Sequence, residues 1–129
     1  MRNAQPRVAK RARRLRFEQL VSQVYRTIPD RIQRELDNVE FVVEDEPASR
    51  HIESNDGELF GLYQGTPLNE RDSFYTMMLP DVITLFRGPL ERAFPDPSEL
   101  KSQVRITLLH EIAHHLGIDE DDVTELGLA

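Results

Sequence analysis

Apolar side chains recur at three- and four-residue intervals from about Arg14 to Leu36, and this spacing predicts one apolar stripe along a helix. The stripe consists of Phe17, Leu20, Val21, Val24, Ile28, Ile32 and Leu36. Pro29 and Asp30 interrupt it, because proline disfavours helix at the residue before it and aspartate is a good helix cap. We therefore expect a core-facing helix that ends near Thr27 and a restart with Asp30 as its cap.

Three shorter runs are rich in β-branched and aromatic residues, as strands are, and they cover residues 39–44, 59–64 and 81–86. Pro89 cannot donate to a sheet ladder, so the chain should leave the sheet there. Residues 45–56 and 66–80 are predicted to be loops, and long loops in compact domains are often functional.

The last third of the chain predicts its longest helix. Asp96 is placed to cap it, Pro97 suits the first helical position, and Glu99 completes a capping box. An apolar face then continues to Gly117, which can adopt the left-handed conformation that ends a helix. We expect roughly twenty residues, or about 30 Å, of rigid helix.

Composition limits the class of protein. The chain has 129 residues, 39% hydrophobic and 30% charged, which fits one globular domain. It has no cysteine, so disulfides and thiolate metal sites are excluded. No apolar stretch is long enough to cross a bilayer, and we expect no membrane partner.

The charge is divided unevenly. Residues 1–16 hold seven basic residues and no acid, whereas residues 17–129 hold the other 9 basic residues against all 23 acids, a net −14. We expect a basic arm over residues 1–16, either a partly disordered tail or the solvated start of a helix, and a single domain over residues 17–129. The arm lacks the apolar core of a secretory signal, which favours a cytoplasmic protein. Nucleic-acid binding through the arm is the less favoured interpretation, because the acidic body repels phosphate and no aromatic residues interrupt the basic run.

Candidate chemistry is concentrated on the final helix. His110 and His114 are four residues apart, so their imidazoles lie on one helix face and can bind one metal ion. Glu111 between them is placed to act as general base on a water activated by that metal. After the turn at Gly117, Glu120 is the first carboxylate at the spacing where the returning chain could meet the same ion as a third ligand.

Asp121 is the alternative third ligand. His115 lies on a different helix face, and we expect it to be solvated or to support the site without binding metal. His51, in a polar loop, is more simply solvated than a distal ligand. Tyr75 is a candidate for stabilising an oxyanion, although covering the core edge is the more common role of such an aromatic.

The run HEIAHHLGIDE has the form H-E-x-x-H-x-x-G-x-x-(D/E) and resembles the signature of zincin metallopeptidases, with an acidic residue in place of the third histidine of metzincins. Together with residues 65–71 and 79–94, residues 110–122 resemble a bacterial family of very small, single-domain zincin-like metallopeptidases. The resemblance implies a minimal metzincin-like fold, His110, His114 and Glu120 as metal ligands and Glu111 as catalytic carboxylate. Two features depart from the pattern: the family favours Asp where Glu120 stands, and no methionine follows Met78 to form a methionine turn.

We expect an α+β fold in which an N-terminal helix and the C-terminal metal-bearing helix pack on a small three- to four-stranded mixed sheet. The expected function is zinc-dependent hydrolysis of peptide bonds in a peptide or protein substrate, which would be added as a further strand along a sheet edge formed by one of the last two strands. One alternative is a metal-dependent endoribonuclease, although the known small enzymes of that class lack the glutamate after the first histidine. The other is a non-catalytic metal- or partner-binding domain. The sequence does not indicate the oligomeric state.

Overall fold

The computed structural model describes residues 5–48, 59–66 and 80–118, with side chains from residue 10 onward. Helix α1 spans Gln5–Arg26, and the short helix α2 spans Asp30–Gln33 and continues into a 3₁₀ turn, Arg34–Leu36. Strands β1, β2 and β3 span Val39–Glu44, Gly61–Gln64 and Asp81–Phe86. Helix α3 spans Arg87–Ala93 and helix α4 spans Pro97–Leu116. No helix within these ranges is both long and apolar enough to cross a membrane.

Helix α1 begins earlier than the apolar stripe indicated. It starts at Gln5, so most of the basic arm is the first part of a helix. The apolar stripe begins at Phe17, which is buried in the core, whereas Arg11, Arg13 and Arg16 are exposed. Residues 5–16 therefore form the first part of a helix.

The interruption of the helix near Thr27 is confirmed. The backbone N–H groups of Thr27 and Ile28 donate to the carbonyls of Val24 and Tyr25 in a closing turn. The predicted cap is wrong by one residue, because Pro29 occupies the N-cap position and Asp30 lies inside the first turn without a capping bond. Pro29, with ψ 144°, is non-helical, and its ring fixes the φ angle at the residue before α2.

The three strands form one mixed sheet in the order β1–β3–β2. Strand β1 is parallel to β3, with Val39 opposite Asp81 and Glu44 opposite Phe86. Strand β2 is antiparallel to β3 and two residues shorter at its start than the predicted 59–64 run. The central strand is nearly all buried, which fits its four apolar residues, Val82, Ile83, Leu85 and Phe86.

Helices α1 and α4 pack on one face of this sheet. Tyr25 of α1 meets Phe41 of β1 edge to face, with ring centroids 5.2 Å apart. Ile83 and Leu85 of β3 lie in the same core as Leu108 of α4. The α+β architecture with both long helices against one small sheet is therefore confirmed.

Helix α3 was not predicted. It begins directly after β3, and Pro89 lies in its first turn, where a missing N–H costs nothing. Its first residue, Arg87, donates to Asp45 at 2.9 Å and to Glu91 at 2.6 Å. The proline therefore ends the sheet, as expected, by starting a helix.

Both ends of helix α4 are as the sequence predicted. The Asp96 carboxylate accepts hydrogen bonds from the backbone N–H groups of Ser98 and Glu99, each at 3.1 Å. Gly117 ends the helix with φ 75°, in the left-handed region. The helix is consequently capped at its start and ended by a left-handed glycine directly after the segment that carries the three motif residues.

Candidate active site

Helix α4 brings three motif side chains together. One ligand atom from each of His110, Glu111 and His114 lies within 4.8 Å of the other two. The ring centroids of the two histidines are 4.5 Å apart, as expected for residues one helical turn apart. The two histidines proposed as metal ligands and the glutamate proposed as base therefore lie close together.

Glu111 differs from the two histidines in its surroundings. It is 5% exposed, whereas the side chain of His114 is half-exposed, so the carboxylate lies at the inner wall of the site. Its Oε1 is 3.2 Å from Nδ1 of His114, and it accepts a hydrogen bond from the backbone N–H of Tyr63. Burial raises the pKa of Glu111, and the nearby His110 and the Tyr63 N–H oppose that rise only in part.

Strand β2 passes close to Glu111 because Gly61 has no side chain. A Cβ atom at Gly61 would lie 2.8 Å from the Thr107 methyl carbon and 3.3 Å from Cγ of Glu111. Contacts below 3.0 Å require something to move, so any larger residue here would push the strand away from the helix. The glycine thus sets the distance between the sheet and the motif.

An open cavity of about 430 Å³ lies between β2 and α4. The described residues that line it are Leu59, Phe60, Gly61, Leu62, Tyr63, Gln103, Ile106, Thr107, His110, Glu111 and His114. Apart from the motif residues, none of these carries a charge, although 30% of the chain is charged. An extended segment lying in this groove would touch both the strand and the motif.

The chemistry of the three side chains fits a divalent metal. Imidazole nitrogens and a carboxylate oxygen are ligands that zinc accepts, and zinc sites in enzymes commonly combine them. The accessible histidines leave room for a further ligand. Glu120 and Asp121, the two predicted candidates for that ligand, lie outside the described residues, as do His51 and Tyr75.

His115 is buried, so the expectation of a solvated residue is wrong and the supporting role is the alternative that remains. It is 1% exposed, and its Nδ1 lies 2.8 Å from Oδ2 of Asp81. The Tyr63 hydroxyl donates to the same oxygen at 2.5 Å. Sequence reasoning missed Tyr63 and Asp81, although a lone aspartate at the start of an otherwise apolar central strand was a usable signal.

The solved structure of a conserved hypothetical protein from Thermus thermophilus is similar in fold. Its TM-score is 0.55 at 24% sequence identity, and the match covers 78% of this chain and 91% of that one. No curated protein sequence gives a significant match. The profile of the zincin-like metallopeptidases matches residues 36–128, which include all three strands, the cavity between β2 and α4 and the HEIAHH segment. The chain therefore belongs to the zincin-like metallopeptidase family.

Proposed function

We propose that this protein is a zinc-dependent peptidase that cleaves a peptide or protein substrate bound between β2 and α4. The observation that carries the proposal is the convergence of His110, Glu111 and His114 at the wall of an open groove. Family membership supports the same reaction class. The reaction would take place where the groove passes the three side chains.

The residues of the site divide into binding and proton-transfer roles. His110 and His114 would hold the ion, with Glu120 or Asp121 as the proposed third ligand. A bound zinc ion supplies Lewis-acid activation of water at neutral pH. Glu111 is the base that accepts a proton from the attacking water and passes it to the leaving amine. Its raised pKa suits the first half of that exchange, because a stronger carboxylate base is a better proton acceptor.

Strand β2 is suited to hold the substrate backbone. Within the described residues, β2 pairs with β3 on one side only. An extended peptide can add to such an edge through backbone hydrogen bonds, which bind it without regard to sequence. The side of β2 that faces α4 lies against Glu111, so a peptide on this edge passes near the proposed base.

The test compares variants of the two roles in the same protein. Glu111→Gln keeps the shape of the side chain and removes its basicity, so we expect kcat/KM on an unstructured protein such as casein to fall by a factor of about 10² or more. The same variant should retain metal, measured by elemental analysis. His114→Ala should lose both metal and activity. Glu99→Gln, at the exposed start of the same helix, is the matched control and should behave as wild type.

The outcomes separate the proposal from its alternatives. Cleavage by Glu111→Gln at the wild-type rate would show that another group is the base. A wild-type protein that holds metal and cleaves neither casein nor RNA would be a binding domain on this scaffold. Cleavage of RNA instead of casein, lost when the basic residues 1–16 are removed, would identify a nuclease.

A further inference from the structure

We propose that Tyr63 is a positioning residue of this site, holding the carboxylate of Glu111 in place through an anchor formed by Asp81 and His115. The catalytic part of the inference rests on the proposed peptidase function, whereas the anchor itself does not. Tyr63 makes two kinds of contact, one through its backbone and one through its side chain. Its backbone reaches the proposed base, and its side chain reaches the buried anchor.

The anchor is a buried polar cluster with short contacts. Asp81 is 0% exposed, and its Oδ2 lies 2.5 Å from the Tyr63 hydroxyl and 2.8 Å from Nδ1 of His115. The other ring nitrogen of His115 lies 3.3 Å from the backbone carbonyl of Glu35. The rings of Tyr63 and His115 meet edge to face with centroids 5.7 Å apart.

Burying such a polar cluster costs free energy, and its hydrogen bonds allow only one arrangement of the three side chains. A buried carboxylate is tolerated only when hydrogen bonds replace its water, and removing one partner leaves the others unsatisfied. Apolar residues would fill the same space without that cost. The cluster joins one residue from each of β2, β3 and α4, and those elements also form the groove. Its geometry therefore determines where the strand lies relative to the helix.

Tyr63 connects this anchor to the proposed base, Glu111. The backbone N–H of Tyr63 donates to the Glu111 carboxylate, which has little access to solvent because the residue is only 5% exposed. His115 immediately follows His114 on the same helix. A hydrogen bond weakens steeply with misalignment, so a small shift of β2 would release the carboxylate from its present orientation. Displacements of about 1 Å are enough to reduce catalysis severely.

Tyr63→Phe removes the hydroxyl and keeps the ring, and it is the test of this role. We expect kcat on casein to fall roughly tenfold with KM changed less than about threefold, because the base acts only in the transition state and the backbone edge of β2 remains. Metal content should stay at the wild-type level. Asp81→Asn should give the same split in kcat and KM as Tyr63→Phe, since it weakens the same acceptor.

Tyr25→Phe is the matched control. Tyr25 is also partly buried and packs edge to face on Phe41 of β1, which lies on the other side of β3 from β2. Its loss of a hydroxyl should leave kcat and KM unchanged. Measurements at a temperature well below every melting point separate positioning from a general loss of stability, since a merely structural effect would lower the melting temperature and spare kcat.

Amide hydrogen exchange of the metal-free protein tests the anchor without any assay of activity. The amide of residue 63 should exchange roughly tenfold faster or more in Tyr63→Phe than in wild type, and Tyr25→Phe should not change it. If wild type has no peptidase activity, the proposed function fails and the exchange rates alone decide whether the anchor holds the strand. If exchange and kcat in Tyr63→Phe both match the Tyr25→Phe control, the positioning role is wrong.

Discussion

Replacing Gly61 with alanine tests how closely strand β2 must approach helix α4. The added Cβ would lie 2.8 Å from Cγ2 of Thr107, and 3.3 Å from both Cγ of Glu111 and Cδ2 of Leu85. The contact with Thr107 is much shorter than the usual separation of two methyl carbons, about 3.5–4.0 Å. Gly61 and Thr107 belong to packed elements, β2 and α4, which cannot easily move apart.

The expected size of the effect follows from two opposing contributions. Overpacking of this kind costs about 1–3 kcal/mol, whereas replacing glycine by alanine returns about 0.4–1 kcal/mol by restricting the unfolded chain. Taking the middle of each range, we expect Gly61→Ala to lower the free energy of unfolding by roughly 1.3 kcal/mol. The change should also reduce kcat, because the second contact is with the proposed base.

Thr107→Ser supplies the rescue that makes the test specific. It removes the methyl carbon nearest the new Cβ and keeps the hydroxyl. In a double-mutant cycle measured by chemical denaturation, Gly61→Ala should cost less in the Thr107→Ser background, by at least about 0.5 kcal/mol. A stability of Gly61→Ala equal to wild type would refute the close approach, and an equal cost in both backgrounds would show that Thr107 is not the residue that opposes it.

Three further changes test the frame of the site. Asp96→Ala removes the acceptor of the N–H groups of Ser98 and Glu99, so the melting temperature should fall by a few degrees, and Asp96→Asn should recover most of that loss. Gly117→Ala places a Cβ at φ 75° and should cost about 1 kcal/mol in denaturant titrations; no change would mean that the helix ends differently in solution. Burial raises the pKa of Asp45, but the hydrogen bond and charge of Arg87 outweigh it and leave that pKa below its usual value. This pair should therefore stabilise the fold above the ordinary pKa of 3.8 and lose that stabilisation as pH falls through the lower folded value, and unfolding measured at several acidic pH values should show a smaller loss in Asp45→Asn.

Local sequence was sufficient for the elements that depend on near neighbours. The cap at Asp96, the end of α4 at Gly117 and the one-turn spacing of His110 and His114 each involve residues at most a few positions apart. Local patterns were also sufficient for the strands at 39–44 and 81–86, where β-branched residues cluster. Helix α3 was missed because Gly88 and Pro89 usually mark the end of regular structure, and its anchoring ion pair joins Arg87 to distant Asp45.

By itself, then, the sequence predicted most of the secondary elements, two candidate metal-binding histidines on one helix face with a candidate base between them, and the family resemblance. Only the tertiary structure decided that β3 is the central strand, that β2 lies beside Glu111, and that His115 is buried against Asp81. The physical reason is distance along the chain. The contacts of Tyr63 with Asp81 and of His115 with Glu35 join residues 18 and 80 positions apart. The first forms only when β2 pairs with β3, and the second only when α4 packs against the 3₁₀ turn. No periodicity within a single element encodes such contacts.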